Sequence, residues 1–197
     1  SARPAQQRPA AVVVAGPTGS GKSALALALA EAIAGEIINA DSMQVYRDFR
    51  VLTARPTVEE EASAAHHLYG HVDAAERYST SRWLTDALAA IADIRARNKT
   101  PVLVGGTGLY FKALTQGLAE MPSIDPELRT ALTERIATMG APALHAELAR
   151  LDPQTAARLE PNAAPRIIRA LEVIETTGES ITSFQANTQP ALAANEW

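Results

Sequence analysis

The chain has 197 residues, 47% of them hydrophobic and 20% charged, values ordinary for a globular protein with a sizeable core. It contains no cysteine, which excludes disulfides, thiolate catalysis and cysteine-based zinc sites. The net charge of −4 means that any contact with nucleic acid must depend on a local basic patch. The longest apolar run, residues 24–34, is too short to cross a bilayer, so we expect a cytoplasmic protein with no membrane partner.

Strand and helix signals alternate through the first part of the chain. Ala11–Ala15 is an apolar run of the kind found in a strand covered on both faces. Lys22–Ala34 is rich in Ala and Leu and predicts a helix that ends at Gly35. The further predicted elements are a strand at Glu36–Ala40, a helix from Thr80 to about Asn98, a strand at Thr100–Val104 and a helix at Leu109–Thr115. This alternation predicts an α/β fold with a parallel sheet and helices on both of its faces.

After Gly117 the pattern changes to helix alone, whereas residues 43–78 and 179–197 show no clear period. The predicted helical stretches are Asp125–Met139, Pro142–Arg150, Pro153–Leu159 and Pro165–Thr177. We therefore predict four parts. These are a flexible tail at 1–10, an α/β core at 11–119, a helical module at 120–185 and a final segment at 186–197.

A phosphate-binding loop follows the first strand. The segment GPTGSGKS matches G-x-x-x-x-G-K-[ST] in full and stands between a strand and a helix, the context that this motif requires. The core is therefore predicted to be P-loop NTPase-like. Its glycines let backbone N–H groups face a phosphate, while the lysine supplies a cation and the serine hydroxyl a Mg²⁺ ligand. The predicted phosphate-binding residues are Gly16, Pro17, Thr18, Gly19, Ser20, Gly21, Lys22 and Ser23.

The acid expected after Val104 in a nucleotide hydrolase is missing, and Asp41 is the alternative candidate. Asp41 ends the second strand, so parallel pairing would bring it to the crevice that the phosphate loop occupies. Three interpretations stay open: a helix N-cap without chemical role, a Mg²⁺ ligand as in a small-molecule kinase, or a general base. The turn Gly105–Gly108, with Thr107 as its side-chain donor, is a second anion-compatible junction or a tight packing turn.

Five further segments of the sequence bear on the function. In chain order they are INADSMQVY, TARP, HHL, PVLVGGTGLYFKAL and PRIIRALEV. Together with GPTGSGKS, from Val12 to about Gly178, they resemble the tRNA dimethylallyltransferase (tRNA isopentenyltransferase) family. The resemblance implies transfer of a dimethylallyl group from dimethylallyl diphosphate to N6 of the adenosine 3′ to the anticodon, with Mg²⁺. It also implies that the module at 120–185 is a helical insertion that helps to grip the tRNA anticodon stem-loop. By the same resemblance, residues 186–197 start a return to the core, whose remainder is absent from this chain.

The resemblance carries roles onto matching positions. Asp41 matches the general base, Thr18–Ser23 the diphosphate-binding residues, and Lys22 and Thr107 further catalytic positions, with Ser23 toward the metal. The expected tRNA-contacting residues are Asp41, Ser42, Met43, Gln44, Thr107, Arg129, Pro165, Arg166, Ile167, Ile168 and Arg169. Allylic transfer also accounts for the missing acid after Val104, because no water or hydroxyl attacks phosphorus.

Other interpretations predict different chemistry. A P-loop kinase would consume the ATP γ-phosphate, a related prenyltransferase would accept free adenine nucleotides, and a binding module would catalyse nothing.

Arg166 and Arg169 lie on one side of a helix, where they would hold an RNA backbone or pair with Glu172 on a solvated face. His66 and His67, placed in a loop with no third ligand, are assigned no chemical role. We expect a monomer.

Overall fold

The structure, a computed structural model, describes residues 11–49, 55–186 and 188–197. It divides into two compact units, one reaching Leu118 and including Gln189–Trp197, and the other formed by Ala119–Thr188. The tail predicted at residues 1–10 lies outside the described residues. Within those residues, no helix combines the length and the apolar character that crossing a bilayer requires.

A four-stranded parallel sheet forms the centre of the first unit, in the order β1-β4-β2-β3. The strands are β1 (Val12–Ala15), β2 (Gly35–Asn39), β3 (His66–His67) and β4 (Thr100–Gly105). The loop predicted around His66 and His67 is wrong at these two residues, because they pair with Ile37 and Ile38 at the edge of the sheet. So short a strand leaves no alternation in the sequence to reveal it.

Helices cover both faces of this sheet. They are α1 (Lys22–Ile33), α2 (Val58–Ser63), α3 (Thr80–Ala96) and α4 (Gly108–Gln116), with a 3₁₀ turn at Arg47–Phe49. Ile37 packs toward Ala26 of α1, whereas its neighbour Ile38 packs in the opposite cluster with Trp83 of α3 and Leu114 of α4. Consecutive strand residues face opposite sides and both sides are covered, which explains why β2 and β4 are buried throughout. The predicted α/β class with a P-loop-like sheet is confirmed.

The end of α1 differs from the prediction at one residue. Ala34, not Gly35, adopts the left-handed conformation that ends the helix, with φ of 52°. Gly35 is instead the first residue of β2, where a Cβ atom would lie 2.9 Å from the carbonyl oxygen of Thr100. The glycine is therefore required by the close approach of β4 rather than by the helix cap.

In the second unit, every described residue with regular secondary structure is helical. Its helices are α5 (Pro126–Met139), α6 (Ala141–Leu151), α7 (Pro153–Ala156), α8 (Ala164–Thr177) and α9 (Ile181–Ala186). Leu132, Leu144, Leu148 and Leu171 are fully buried in its core. The sequence missed α9 because six residues are too few to show a helical period.

Residues 189–197 pack on the first unit. Leu192 is buried in the cluster formed with α3 and α4, and the backbone N–H groups of Ala191 and Leu192 both donate to the Leu114 carbonyl oxygen at 3.0 Å. Arg95 of α3 reaches Glu196, with Nη1 3.4 Å from Oε1. This segment has no helix or strand of its own, so only tertiary contacts define its course.

A buried carboxylate organises the lower end of the sheet, opposite the phosphate loop. Glu36 of β2 accepts hydrogen bonds from Arg97, from Lys99 Nζ at 2.8 Å and from His67 Nε2 at 2.7 Å. Its side chain is only 1% exposed. Donation by Arg97, followed by the Lys99 and His67 contacts, outweighs burial and lowers the pKa of Glu36 to about 2. The carboxylate therefore joins β2, β3 and the loop before β4 through charge.

We predict that Glu36→Gln lowers the free energy of unfolding by about 2 kcal/mol at neutral pH, less than for a wholly buried pair because the cations are half exposed. A depressed carboxyl pKa stabilises the fold above its unfolded value of 4.5 and loses that effect as the pH falls toward about 2. Urea denaturation at several pH values should therefore show that the difference in unfolding free energy between the wild type and the variant shrinks below pH 4.5. Glu31→Gln, at an exposed position of α1, is the control and should change stability little at any pH. A pH-independent difference for Glu36→Gln would contradict this account.

Candidate active site

The predicted phosphate loop has the expected geometry. It runs from β1 to α1, and Lys22, the first residue of the helix, donates from Nζ to the Pro17 carbonyl oxygen at 3.0 Å. The Ser20 N–H donates to the same oxygen at 3.3 Å. Gly19 and Ser23 are exposed, so the loop is open to a ligand. The side chain of Lys22 therefore lies across a loop whose residues 17–21 are exposed.

Backbone hydrogen bonds join the carboxyl ends of three strands. The Gly16 N–H donates to the Gly105 carbonyl oxygen at 3.2 Å, and the Ala40 N–H donates to the Val104 carbonyl oxygen at 2.7 Å. From the other side, the Thr107 N–H donates to the Ala40 carbonyl oxygen at 3.2 Å. The phosphate loop, the end of β2 and the turn after β4 therefore lie side by side on one edge of the sheet, as parallel pairing predicted.

The Asp41 carboxylate faces this edge. A Cβ atom on Gly105 would lie 2.1 Å from the Ala40 carbonyl group, so glycine permits the close contact between the two strand ends. A Cβ atom on Gly106 would lie 3.2 Å from the Gly16 carbonyl oxygen and 4.0 Å from Asp41 Oδ2. The carboxylate is therefore next to the second turn and on the same side as the phosphate loop.

A buried amide fixes the backbone of Asp41. Asn39 Oδ1 accepts from the Asp41 N–H at 2.9 Å, and Asn39 Nδ2 donates to the carbonyl oxygens of Asp41 at 3.0 Å and Leu68 at 3.1 Å. The Asn39 carbonyl oxygen accepts from Trp83 Nε1 at 2.8 Å. Sequence reasoning missed Asn39, although a buried polar residue next to the candidate base is a usable signal.

Among the described residues, the Asp41 carboxylate accepts a hydrogen bond at one oxygen and none at the other. Oδ1 accepts from the Met43 N–H at 2.9 Å, which closes a local turn. Residues 42–45 are turn and not helix, so the helix N-cap interpretation is wrong. Oδ2 is the oxygen directed toward Gly106. This division leaves one carboxylate oxygen for a ligand.

Thr107 links the two turns. Its Oγ1 accepts from the Ser42 N–H at 2.9 Å and donates to Ser42 Oγ at 3.3 Å. The hydroxyl does not cap α4, although it directly precedes that helix. Thr107 therefore positions the segment after Asp41, and its hydroxyl lies within the predicted site.

A cavity of about 220 Å³ opens beside Ser23. Its apolar lining includes Leu27, Ile37 and Val104, and its polar lining comprises Glu60, His66 and Tyr69 besides Ser23. Burial, followed by the nearby carboxylate of Asp41, raises the pKa of the Tyr69 hydroxyl. The phenol stays neutral and available as a hydrogen-bond donor next to the site.

The predicted RNA-contacting arginines lie in the second unit, and two of them converge on one buried carboxylate. Arg129 Nε lies 2.5 Å from Glu172 Oε1, and Arg169 Nη1 lies 3.0 Å from Glu172 Oε2. The pairing of Arg169 with Glu172, left open by the sequence, is therefore present. Burial raises the pKa of Glu172, but donation by Arg129 and then Arg169 more than offsets it, so the net direction is downward. Arg166 is exposed, while Ile167 is fully buried.

Comparison with known proteins bears on what this geometry serves. The sequence model of the IPP transferase family matches residues 44–196, and that of the isopentenyl transferase family matches residues 9–72. The chain belongs to the IPP transferase family. The resemblance inferred from the sequence motifs is thereby confirmed.

Relatives and solved structures agree with this assignment. A tRNA dimethylallyltransferase of Rhodopseudomonas palustris strain BisB18 is 56% identical over 96% of this chain and 60% of its own length. One from Allorhizobium ampelinum is 54% identical over 92% of this chain and 60% of its own. The chain spans about three fifths of these relatives.

Two solved structures share the fold. A eukaryotic dimethylallyltransferase acting on tRNA has a TM-score of 0.78 and 33% identity, and the match covers 93% of this chain and 46% of that one. The full-length tRNA isopentenylpyrophosphate transferase of Bacillus halodurans has a TM-score of 0.55 and 39% identity, covering 85% and 56%.

Because Gly105 touches the Ala40 carbonyl group, we predict that Gly105→Ala lowers the free energy of unfolding by more than about 2 kcal/mol. Gly108→Ala is the matched control, since nothing lies within 4 Å of a Cβ atom there, and it should change stability by less than about 0.5 kcal/mol. Urea denaturation followed by circular dichroism measures both. Equal effects of the two substitutions would show that the strand ends tolerate separation.

Proposed function

We propose that the protein transfers a dimethylallyl group from dimethylallyl diphosphate to N6 of the adenosine 3′ to the anticodon in tRNA and releases diphosphate. The observation that carries the proposal is the Asp41 carboxylate, with its free oxygen 4.0 Å from the Cβ position of Gly106, beside the phosphate loop. Family membership and relatives with this name support the same activity. The protein acts as a cytoplasmic monomer in this proposal.

The phosphate loop holds the leaving group. As the allylic C–O bond breaks, negative charge grows on the departing diphosphate, and donors already in place stabilise it without reorganising. The exposed amides between Gly16 and Gly21 supply these donors, together with the dipole of α1. Lys22 Nζ, now bonded to the Pro17 carbonyl oxygen, moves to a diphosphate oxygen.

A magnesium ion fits the same place. Ser23 is exposed in the first turn of α1, and the described residues contain no group of three His, Asp or Glu side chains that would form a separate metal cage. Mg²⁺ accepts such a site, since it usually binds one or two protein oxygens together with phosphate oxygens and water. When bound, it would neutralise charge on the diphosphate. The Ser23 hydroxyl would hold it.

Asp41 acts on the nucleophile. The N6 amine of adenine is a weak nucleophile, because its lone pair is delocalised into the ring. Asp41 Oδ2 accepts a hydrogen bond from N6–H, orients the amine and takes its proton as the C–N bond forms. One C–O bond breaks, one C–N bond forms, the electron pair leaves on diphosphate and the proton passes to the carboxylate.

The remaining groups hold the two substrates. The apolar lining of the cavity beside Ser23 suits the five-carbon group of the donor. Ser42, Met43 and Gln44 follow Asp41, the general base, and contact the target nucleotide. This nucleotide must leave its stack to reach the site, which costs less free energy in a loop than in a duplex. In the second unit, Arg129, Pro165, Arg166, Ile168 and Arg169 contact the stem-loop, while the buried Ile167 supports them.

We predict that Asp41→Asn lowers the rate of prenyl transfer by about 10²- to 10⁴-fold, because the amide accepts no proton. The Asn side chain keeps an oxygen for the Met43 N–H, so the turn should persist. Transfer is measured with labelled dimethylallyl diphosphate and an anticodon stem-loop RNA, and diphosphate affinity by calorimetry, which should be unchanged. An Asp41→Asn protein that transfers at the wild-type rate would overturn the role of base.

The same assay separates the alternatives. With AMP or ATP as acceptor, no product should form, whereas a prenyltransferase of free nucleotides would use them. Consumption of the ATP γ-phosphate would instead indicate a kinase. In a kinase Asp41 would have to hold Mg²⁺, because β4 ends in Gly105 and offers no acid there.

Asn39 should act as a positioning residue for Asp41. Asn39→Asp keeps the acceptor for the Asp41 N–H but replaces the donor that faces the carbonyl oxygens of Asp41 and Leu68. We expect transfer to fall at least about tenfold while diphosphate affinity stays unchanged. Trp83→Phe removes the bond to the Asn39 carbonyl oxygen and leaves a small cavity in the core, so it is the control for stability, at about 2 kcal/mol. If the two variants lose transfer activity in proportion to the stability that they lose, Asn39 has only a structural role.

A further inference from the structure

We propose that a depression on the second unit binds one unpaired nucleotide of the substrate RNA, with Arg158 and Arg166 on its phosphate. The proposal rests on the proposed function, since it assumes that the substrate is an RNA. Arg158 was identified neither by a motif nor by the family resemblance.

The depression lies where α7, the start of α8 and α9 meet. Its volume is about 340 Å³, within the range of sites that hold a small ligand. Leu159, Ala170 and Ile181 form apolar lining, and three arginines, Arg158, Arg166 and Arg169, line it as well. Apolar surface surrounded by guanidinium groups suits a ligand that is flat and apolar at one end and anionic at the other.

Two of these three arginines have no direct bond to an acid among the described residues. Among the described residues, neither the Arg158 nor the Arg166 guanidinium makes a hydrogen bond or an ion pair. Asp152 lies near enough to Arg158 to be influenced by it, but its carboxylate already accepts from Ser180 Oγ at 2.6 Å and from the Thr155 N–H at 3.0 Å. Unpaired guanidinium groups are the side chains best suited to bind phosphate.

Glu172 sets Arg169 apart from the other two. Its buried carboxylate holds Arg169 Nη1 at 3.0 Å and Arg129 at the same time. Arg169 is therefore fixed at the border of the depression with much of its charge compensated. Arg158 and Arg166 retain theirs, and the chain as a whole has a net charge of −4. A polyanion would thus find its attraction concentrated at this depression.

A nucleotide fits this chemistry better than an isolated anion. The apolar lining would contact a base or sugar, because unpaired bases expose their faces to apolar and guanidinium surfaces. Thr182 and Gln185 also line the depression and offer hydrogen-bonding groups to a base edge. A paired base would present neither its face nor its edge, so the bound nucleotide belongs to a loop and not to the stem.

Arg158→Ala in the otherwise intact protein tests the proposal. We expect the Kd for an anticodon stem-loop RNA to rise about tenfold, and the slope of log Kd against log salt concentration to fall by about one. The kcat for prenyl transfer at saturating RNA should not change, because the reacting groups are untouched. Arg150→Ala, an exposed arginine at the end of α6 in the same unit, is the matched control and should leave both quantities unchanged.

A chemical substitution in the RNA identifies the phosphate. Single methylphosphonates are placed at each position of the loop, and binding is compared for the wild-type and Arg158→Ala proteins. At one position the neutral linkage should weaken binding to wild type and have a smaller effect on the variant, in which only Arg166 remains at the phosphate. Additive losses at every position would overturn the proposal. Arg158→Gln, which keeps most of the side chain, replaces the alanine variant if thermal denaturation shows that the latter is unfolded.

The outcomes separate this inference from the proposed function. Failure of the wild-type protein to transfer to any tRNA would overturn the proposed function. Transfer to tRNA with Arg158→Ala equal to Arg150→Ala would overturn only the depression as a nucleotide site. Arg158-dependent binding of a phosphoserine peptide, without such dependence for RNA, would assign the depression to another class of ligand and also overturn it.

Discussion

The candidate active site depends on one close contact, that of Gly105 with the carbonyl group of Ala40. A Cβ atom at Gly105 would lie 2.1 Å from that group. Any side chain there would push β4 away from β2 and break the hydrogen bond between the Ala40 N–H and the Val104 carbonyl oxygen. The contact thus sets the spacing between the carboxylate of Asp41 and the phosphate loop, since β4 lies between β2 and β1.

Within each unit, polar side chains with several hydrogen bonds position groups that must remain accessible. Asn39 fixes the backbone of Asp41, and Thr107 fixes the segment that follows it. Glu172 does the same for Arg129 and Arg169 in the second unit. In each case, a side chain held by several hydrogen bonds restrains an adjacent residue. The polar atoms of that residue that face a ligand are then already oriented before the ligand binds.

Charge is distributed to match this arrangement. The chain is acidic overall, with a net charge of −4, yet it binds phosphate groups in the proposed function. Backbone amides and one lysine serve the diphosphate, so that site needs few cationic side chains. The phosphates of the proposed RNA substrate would instead require guanidinium groups, and Arg158 and Arg166 make no direct ion pair among the described residues of the second unit.

The sequence by itself determined the phosphate loop, the parallel sheet and the helical second part, because contiguous residues carry these signals in motif and period. Tertiary structure alone decided which oxygen of Asp41 is open, that His66 and His67 form a strand, and which arginines are paired. Those outcomes depend on partners far apart in the chain: Asn39 and Leu68 are separated by 29 residues, and Arg129 and Glu172 by 43. No local pattern encodes such a pairing, since it arises only when packing brings the side chains together.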